Sequence, residues 1–386
     1  MKPFADRLRK LGTETAFDVL SRARAMESQG AKILHMEIGE PDFDTPAEIR
    51  HAAKRALDEG CTHYTPAAGF LTLRRAIAEE VARTRGIPVA AENIVVVPGG
   101  KMIIFFTILT LLNPGEEAIY PNPGFPIYES MINFVGGVPV PLRLREKLQF
   151  SFDPDEFRSL LTPRTKLIIL NSPGNPCGGV LTREGLEVVA AEAQKHDCYV
   201  LSDEIYSRML YEGECVSIAS LPGMQERTII LDGFSETYAM TGWRLGYGVM
   251  RRELTAWFSR LATNSNSCAA AFSQMAGLAA LKGDQKETHK MVEEFRRRRD
   301  VIVGGLNDIP GIHCCMPQGA FYVFPNISGL DVTSRELADK LLYQGGVATL
   351  AGTAFGKYGE GFLRLSYATS LETIRRALNR IRETIG

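Results

Sequence analysis

Short runs that are apolar at every position recur through the first two-thirds of the chain: Ile94-Val95-Val96-Val97, Ala118-Ile119-Tyr120, Leu167-Ile168-Ile169-Leu170, Tyr199-Val200-Leu201 and Thr228-Ile229-Ile230-Leu231. A strand with one wet face alternates apolar and polar residues. Runs that do not alternate are buried on both faces, as in a parallel sheet covered by helices. The intervening stretches, among them Met102 to Leu112 and Arg183 to His196, have helical character. The pattern predicts an α/β fold with a mostly parallel sheet under helices on both faces. In such sheets ligands collect at the carboxyl ends of the strands, so the polar residues that follow each run are the first candidates for chemistry.

From about residue 281 the character changes. Lys282 to Asp300 is a charged helical stretch containing Arg296-Arg297-Arg298-Arg299, flanked by Glu293 and Glu294, and it reads as a solvated face. Gly319 to Phe324 reads as a strand, Ser334 to Gln344 as a helix with a Ser cap, and Phe362 to Ser366 as a short strand. The expected organisation is a large unit over residues 46–280 and a smaller α+β unit over 281–386, joined by part of an N-terminal segment, 1–45.

Composition narrows the function classes. The chain has 386 residues with a formal net charge of −1, which argues against a broad nucleic-acid or anionic-membrane surface. No apolar run has the ~18 residues of a membrane span, and Met1 to Arg7 does not resemble a leader peptide. The seven cysteines form no CxxC pair, and the six histidines show no metal-site spacing. Free thiols and a cytoplasmic setting are expected.

Four segments after the apolar runs carry candidate chemistry. Pro98-Gly99-Gly100-Lys101 sits between a strand and a helix, where glycines allow an anion to approach free backbone N–H groups, although such turns are common without a ligand. Asn171 to Gly179, with two Asn, two Pro and three Gly, is either a rigid ligand loop or an ordinary turn. In Ser202-Asp203-Glu204-Ile205-Tyr206, Asp203 suits either a protonated ring nitrogen or a helix cap. In Ser235 to Gly246, Ser235 and the forked guanidinium of Arg244 suit a phosphate.

In this order the segments resemble the fold type I pyridoxal-phosphate (PLP) aminotransferases, the aspartate-aminotransferase-like class. The likeness runs from Ile38-Gly39-Glu40-Pro41-Asp42-Phe43 to Arg364. The resemblance implies amino transfer from an L-amino acid to a 2-oxo acid. It implies that Gly100, Lys101, Ser235 and Arg244 hold the cofactor phosphate and that Phe125 stacks on the ring. Asn175 and Tyr206 would bond the ring hydroxyl, and Asp203 would keep the pyridinium protonated as an electron sink. Gly39, Asn175 and Arg364 would bind the substrate α-carboxylate. Tyr64 would reach the cofactor of a neighbouring subunit, which implies a homodimer with shared sites.

One position departs from the pattern. The resemblance places a Schiff-base lysine directly after Ser235, eight residues before Arg244, and this chain has Glu236 there, with no lysine between Lys195 and Lys282. Cys177 stands where the family usually has Thr. The family's lysine bonds covalently to PLP and then moves a proton at the substrate Cα. A carboxylate does not form an imine, and a negative charge near Asp203 and a cofactor phosphate is expected to raise the Glu236 pKa or to weaken cofactor binding. Three readings follow. The first is an aminotransferase scaffold with turnover lost, holding PLP non-covalently or as an external aldimine. The second is a specialised PLP or pyridoxamine-phosphate enzyme with Glu236 as base, and the third a non-catalytic binding protein. Lys101 is expected to point its side chain away from the site. Phe17 and Phe355 are open between pocket and core.

Overall fold

The computed structural model describes residues 3–386; Met1 and Lys2, the start of the stretch read against a leader peptide, lie outside it. Its centre is an eight-stranded sheet. In spatial order the strands are Ile94–Val97, Gly246–Val249, Thr228–Gly233, Tyr199–Asp203, Thr165–Asn171, Glu117–Asn122, Val138–Arg145 and Ser151–Phe152. The run from Thr228–Gly233 to Val138–Arg145 is parallel. Gly246–Val249 lies antiparallel to both neighbours, and Ser151–Phe152 closes the far edge antiparallel.

Burial explains the unbroken apolar runs. Val95, Val97, Leu167, Ile169, Leu201, Ile229 and Leu231 pack into one core with the helix Lys101–Leu111. Their immediate neighbours Ile94, Val96 and Ile230 pack into a second core with the helix Leu71–Arg85. Ile168, Leu170 and Val200 pack with the helix Arg183–Lys195. Successive side chains leave a strand on opposite faces, so each run feeds two cores.

The C-terminal part builds its own core around Phe295, Phe321, Tyr322 and Tyr367. A three-stranded sheet orders Tyr322–Val323, Leu363–Ser366 and Leu350–Ala351. The N-terminal strand Leu34–His35 pairs in parallel with Val347–Ala348. The stretch Gly319 to Phe324 forms a strand only at Tyr322–Val323. The expected Ser cap is one residue earlier: Thr333 caps the helix Ser334–Lys340 in a reciprocal box with Glu336, and the chain then widens into a π turn over Leu341–Gly345.

The arginine run corrects the sequence reading. Arg298 and Arg299 are buried, not solvated. Arg298 pairs with Asp42 at 2.6 Å and Glu294 at 3.1 Å, and Arg299 with Glu212 at 3.2 Å. Arg296 donates to the Tyr211 carbonyl at 2.6 Å, which leaves Arg297 as the exposed member. Asp42 and Glu212 lie far off in sequence, so the run ties the long helix Lys286–Asn307 to the rest of the chain. Among the described residues no helix is long and apolar enough to cross a membrane, and all seven cysteines are free.

Candidate active site

A cavity of about 920 Å³ opens where the strands of the large sheet end. Gly100 and Lys101 enter it after Ile94–Val97, Phe125 after Glu117–Asn122 and Asn175 after Thr165–Asn171. Asp203 and Tyr206 follow Tyr199–Asp203, and Ser235, Glu236 and Arg244 follow Thr228–Gly233. Gly39 and Arg364 close it from the C-terminal core. The cavity thus gathers every residue given a cofactor or substrate role by the resemblance except Tyr64, which is 89% exposed and lies outside it.

One end is built for an anion. The helix Lys101–Leu111 begins there, with Gly100 before it, and a helix start leaves backbone N–H groups free. Gly99 holds φ +92, and a side chain on it would collide with the Arg244 guanidinium. Arg244 itself takes a left-handed φ of 52° and donates from Nη1 to the Thr241 carbonyl at 2.7 Å. A non-glycine residue in that region is strained, and here the turn aims the guanidinium across Gly99.

The middle holds two carboxyls. Asp203 is buried, accepts from Tyr128 Oη at 2.6 Å, and has its pKa raised to about 7, chiefly by burial. Glu236 keeps some exposure to the cavity, but its Oε2 is shut off from solvent and has no hydrogen-bond partner. Burial first, and then the negative charge of Asp203, push its pKa up to about 8. Tyr206 shares a 2.9 Å hydrogen bond with Tyr322.

At the other end Arg364 is 4% exposed and has no carboxylate within ion-pair distance among the described residues. It donates to the Asn175 side-chain carbonyl at 3.3 Å and to the Glu37 backbone carbonyl, while Nε has no partner. Its guanidinium lies 4.6 Å over the Tyr322 ring and 4.9 Å over Phe355. Burial draws its pKa down, against the opposing pull of Tyr322, Tyr206, Glu14 and Glu37. Gly39 is glycine because a Cβ would collide with the Tyr322 hydroxyl.

Lys101 departs from expectation. Its side chain turns into the cavity: Nζ pairs with Glu14 and lies 5.4 Å from the Phe125 ring centroid. Phe17 and Phe355 both line the cavity, Phe17 exposed and Phe355 buried. Cys177, within the Asn171–Gly179 loop, is buried, and burial raises its pKa. Sequence reasoning missed Tyr128, Tyr322 and Glu14. It also missed the clamp made by Asn171, whose side chain donates to the Asp203 carbonyl at 3.2 Å and accepts from the Asn175 N–H at 2.8 Å. The Asn171 position, at the end of a strand beside Asp203, was a usable signal; the two tyrosines arrive from remote segments and carried none.

Residues 31–381 match the aminotransferase class I and II family. The chain belongs to that family. It is 39% identical over 370 residues to an aspartate aminotransferase of Pyrococcus horikoshii, covering 95% of this chain and 93% of the relative. It is 40% identical over 366 residues to an arginine–pyruvate transaminase of Pseudomonas aeruginosa, covering 95% and 93%. The solved aspartate aminotransferase of Thermus thermophilus with maleate superposes with a TM-score of 0.95 at 37% identity, covering 100% of both chains. The fold is therefore that of the fold type I PLP enzymes, and PLP is the family's cofactor.

The residues present fit that cofactor. The cavity offers an anion cradle at Gly99, Gly100 and Arg244, a half-buried aromatic at Phe125 and a buried carboxyl at Asp203. The two carboxyls also predict a pH effect in the cofactor-free protein. Their folded pKa values, about 7 and about 8, exceed the ordinary 3.8 and 4.5, so between these limits the folded state holds more protons than the unfolded state. Stability is then highest at the acid end and falls as pH rises from about 4 to 8, by on the order of 5 kcal/mol between pH 5.5 and 8.5. Denaturant titrations of the apo-protein at pH 5.5 and 8.5 measure this. Glu236→Gln is expected to flatten the slope, and an unchanged slope would show that Glu236 does not contribute.

Proposed function

We propose that this chain is an aminotransferase scaffold that binds PLP and an L-amino acid but has lost, or nearly lost, ordinary lysine-dependent turnover. One observation carries the reading. The residue directly after Ser235, facing the cavity beside Asp203, is Glu236, and the one lysine among the described cavity-lining residues, Lys101, is held by Glu14. By resemblance, position 236 is where the family keeps its Schiff-base lysine.

The remaining residues support retained binding. Gly100, Lys101, Ser235 and Arg244 would hold the phosphate, and Phe125 would cover the ring. Tyr206 and Asn175 would meet the ring hydroxyl. When bound, PLP supplies an electron-withdrawing ring that delocalises the charge left by a departing Cα proton. Asp203 would keep the ring nitrogen protonated; a cation placed against it draws its pKa down from about 7 and holds it ionised. Arg364, a buried cation without an anion, would take the α-carboxylate, with Asn175 and Gly39 beside it.

Glu236 is poorly suited to replace the amine. With a pKa of about 8 it is mostly protonated at neutral pH, so only a minor fraction carries the carboxylate that would accept the Cα proton. The reading of Glu236 as base therefore requires a rate that rises with pH through 8. Exposed Tyr64 is free to reach a second copy, which supports a homodimer. Residues 46–280 would form its larger unit, and 281–386 with 1–45 the smaller. The relatives' names span aspartate and arginine, so the amino-acid side chain stays open.

The test is a single-turnover half-reaction: protein, PLP and a panel of L-amino acids, with 2-oxo acid assayed at pH 7 and pH 9. Cofactor and amino acid are expected to bind with little or no 2-oxo acid released. Rapid release that rises with pH and is abolished by Glu236→Gln would establish Glu236 as a working base and overturn the proposal. Absence of cofactor binding would leave only the scaffold.

A further inference from the structure

Outside the cavity lining, three side chains of ligand type converge. His313 Nδ1 lies 2.7 Å from Glu146 Oε1, and Cys315 Sγ lies 3.9 Å from the same oxygen. All three ligand atoms fall within 4.8 Å of one another. We propose that Glu146, His313 and Cys315 form a site for a borderline-soft divalent cation of the Zn²⁺ class, completed by water, which ties the turn after Val138–Arg145 to the segment at residues 313–326.

The local backbone explains the convergence. His313 forms an isolated antiparallel bridge with Asn326, donating N–H to its carbonyl at 2.9 Å and accepting at 2.7 Å. Side chains in extended chain alternate, so His313 and Cys315 share one side and Cys314 turns to the other, where it is 3% exposed in the C-terminal core. Cys314 is pinned by Asn307, which accepts its N–H at 2.8 Å and donates to its carbonyl at 3.1 Å. His313 and Cys315 thus flank a backbone held at His313 by Asn326 and at Cys314 by Asn307.

The third ligand is oriented as well. Asn326 donates from Nδ2 to Glu146 Oε2 at 2.5 Å. Its Oδ1 is engaged by the Ser328 N–H at 2.9 Å and Oγ at 2.6 Å, which fixes the amide with its NH₂ toward the carboxylate. Oε1 is left to face the imidazole and thiol. Metal-bound carboxylates are held in this way by a hydrogen-bonding partner.

Geometry and ligand chemistry select the ion. Tetrahedral Zn²⁺ with bonds of about 2.0–2.3 Å sets its ligand atoms roughly 3.3–3.6 Å apart. The Glu146–His313 contact of 2.7 Å would open slightly and the Glu146–Cys315 contact of 3.9 Å would close. His313, 68% exposed on its side chain, is free to make that adjustment. A thiolate and an imidazole favour Zn²⁺ over Ca²⁺ or Mg²⁺, which require oxygen ligands. Sequence spacing hides the site because Glu146 comes from a different part of the chain.

The test titrates the full chain with its cofactor using Co²⁺ as probe. One Co²⁺ per chain is expected, with a thiolate charge-transfer band and visible tetrahedral bands that added Zn²⁺ abolishes. Cys315→Ser is expected to remove the charge-transfer band. Cys315→Ser and His313→Ala should each weaken uptake at least tenfold, and Asn326→Ala roughly tenfold. Circular dichroism and cofactor absorption matching the parent would show that the variants fold. No uptake of Co²⁺ or Zn²⁺ at micromolar concentrations, or a thiolate band that survives Cys315→Ser, would overturn the proposal.

Discussion

Glu236→Lys is expected to raise the rate of 2-oxo acid release in a single-turnover half-reaction by roughly 10²–10⁴-fold or more, since a positioned acid–base group alone contributes that much. The site has room for the longer side chain. Glu236 lines the cavity of about 920 Å³ and keeps some exposure to it, so a longer side chain has open space on one side. The charge change is also favourable. A carboxyl now sits near Asp203 with its pKa forced up to about 8. An amine there, when protonated, would have Asp203 as a counter-charge, and when neutral it is a nucleophile with a transferable proton.

The controls separate amine chemistry from charge. Glu236→Gln removes the like charge but supplies no amine, so it should relieve the acidic pair and leave 2-oxo acid release near the parent level. Glu236→Arg supplies a cation that stays protonated and serves neither as nucleophile nor as base. If Lys alone converts the cofactor to its amine form, the loss resides at position 236. If Lys gives no gain while cofactor and amino acid still bind, the defect lies elsewhere in the cavity and the reading of Glu236 fails.

How much of this was legible in the sequence depended on the range of the interaction. The unbroken runs Ile94 to Val97 and Leu167 to Leu170 revealed a doubly covered sheet because burial on both faces is a local pattern. The strand-end rule then placed Asp203, Asn175 and Arg244 correctly in one cavity. Besides several two-residue strands, two longer ones escaped. Gly246–Val249 carries two glycines, and Val138–Arg145 two prolines, which strand patterns disfavour. Prolines are tolerated there because Val138–Arg145 lies near the sheet edge, with only Leu144 and Arg145 paired on its outer side. Side-chain partnerships between distant segments were not legible at all. Lys101 meets Glu14, Tyr206 meets Tyr322 and Arg298 meets Asp42, and no local period records such a pairing.

A second large effect is expected at one of these distant partnerships. Arg85→Met should destabilise the fold by about 3–5 kcal/mol, the cost of removing one partner from a buried ion cluster. Arg85 ends the helix Leu71–Arg85, and its side chain is 5% exposed. Nε pairs with Glu204 at 3.0 Å, and Nη2 with Asp232 at 2.5 Å and with Ser207 Oγ at 2.8 Å. Glu204 and Asp232 are themselves buried, and neither has another cation within ion-pair distance among the described residues. Glu204 adjoins Asp203, and Asp232 lies three residues before Ser235. The charges of both carboxylates already push Asp203 upward, and that of Asp232 pushes Glu236 upward. Without Arg85 the whole acidic group is uncompensated, so the penalty should grow with pH as carboxyls ionise. Denaturant midpoints of Arg85→Met at pH 6 and pH 8 measure both parts. Adding Glu204→Gln and Asp232→Asn should recover most of the loss, because a neutral cluster needs no guanidinium. A cost below about 1 kcal/mol for the single variant, or no recovery in the triple, would show that packing and not charge is what Arg85 provides.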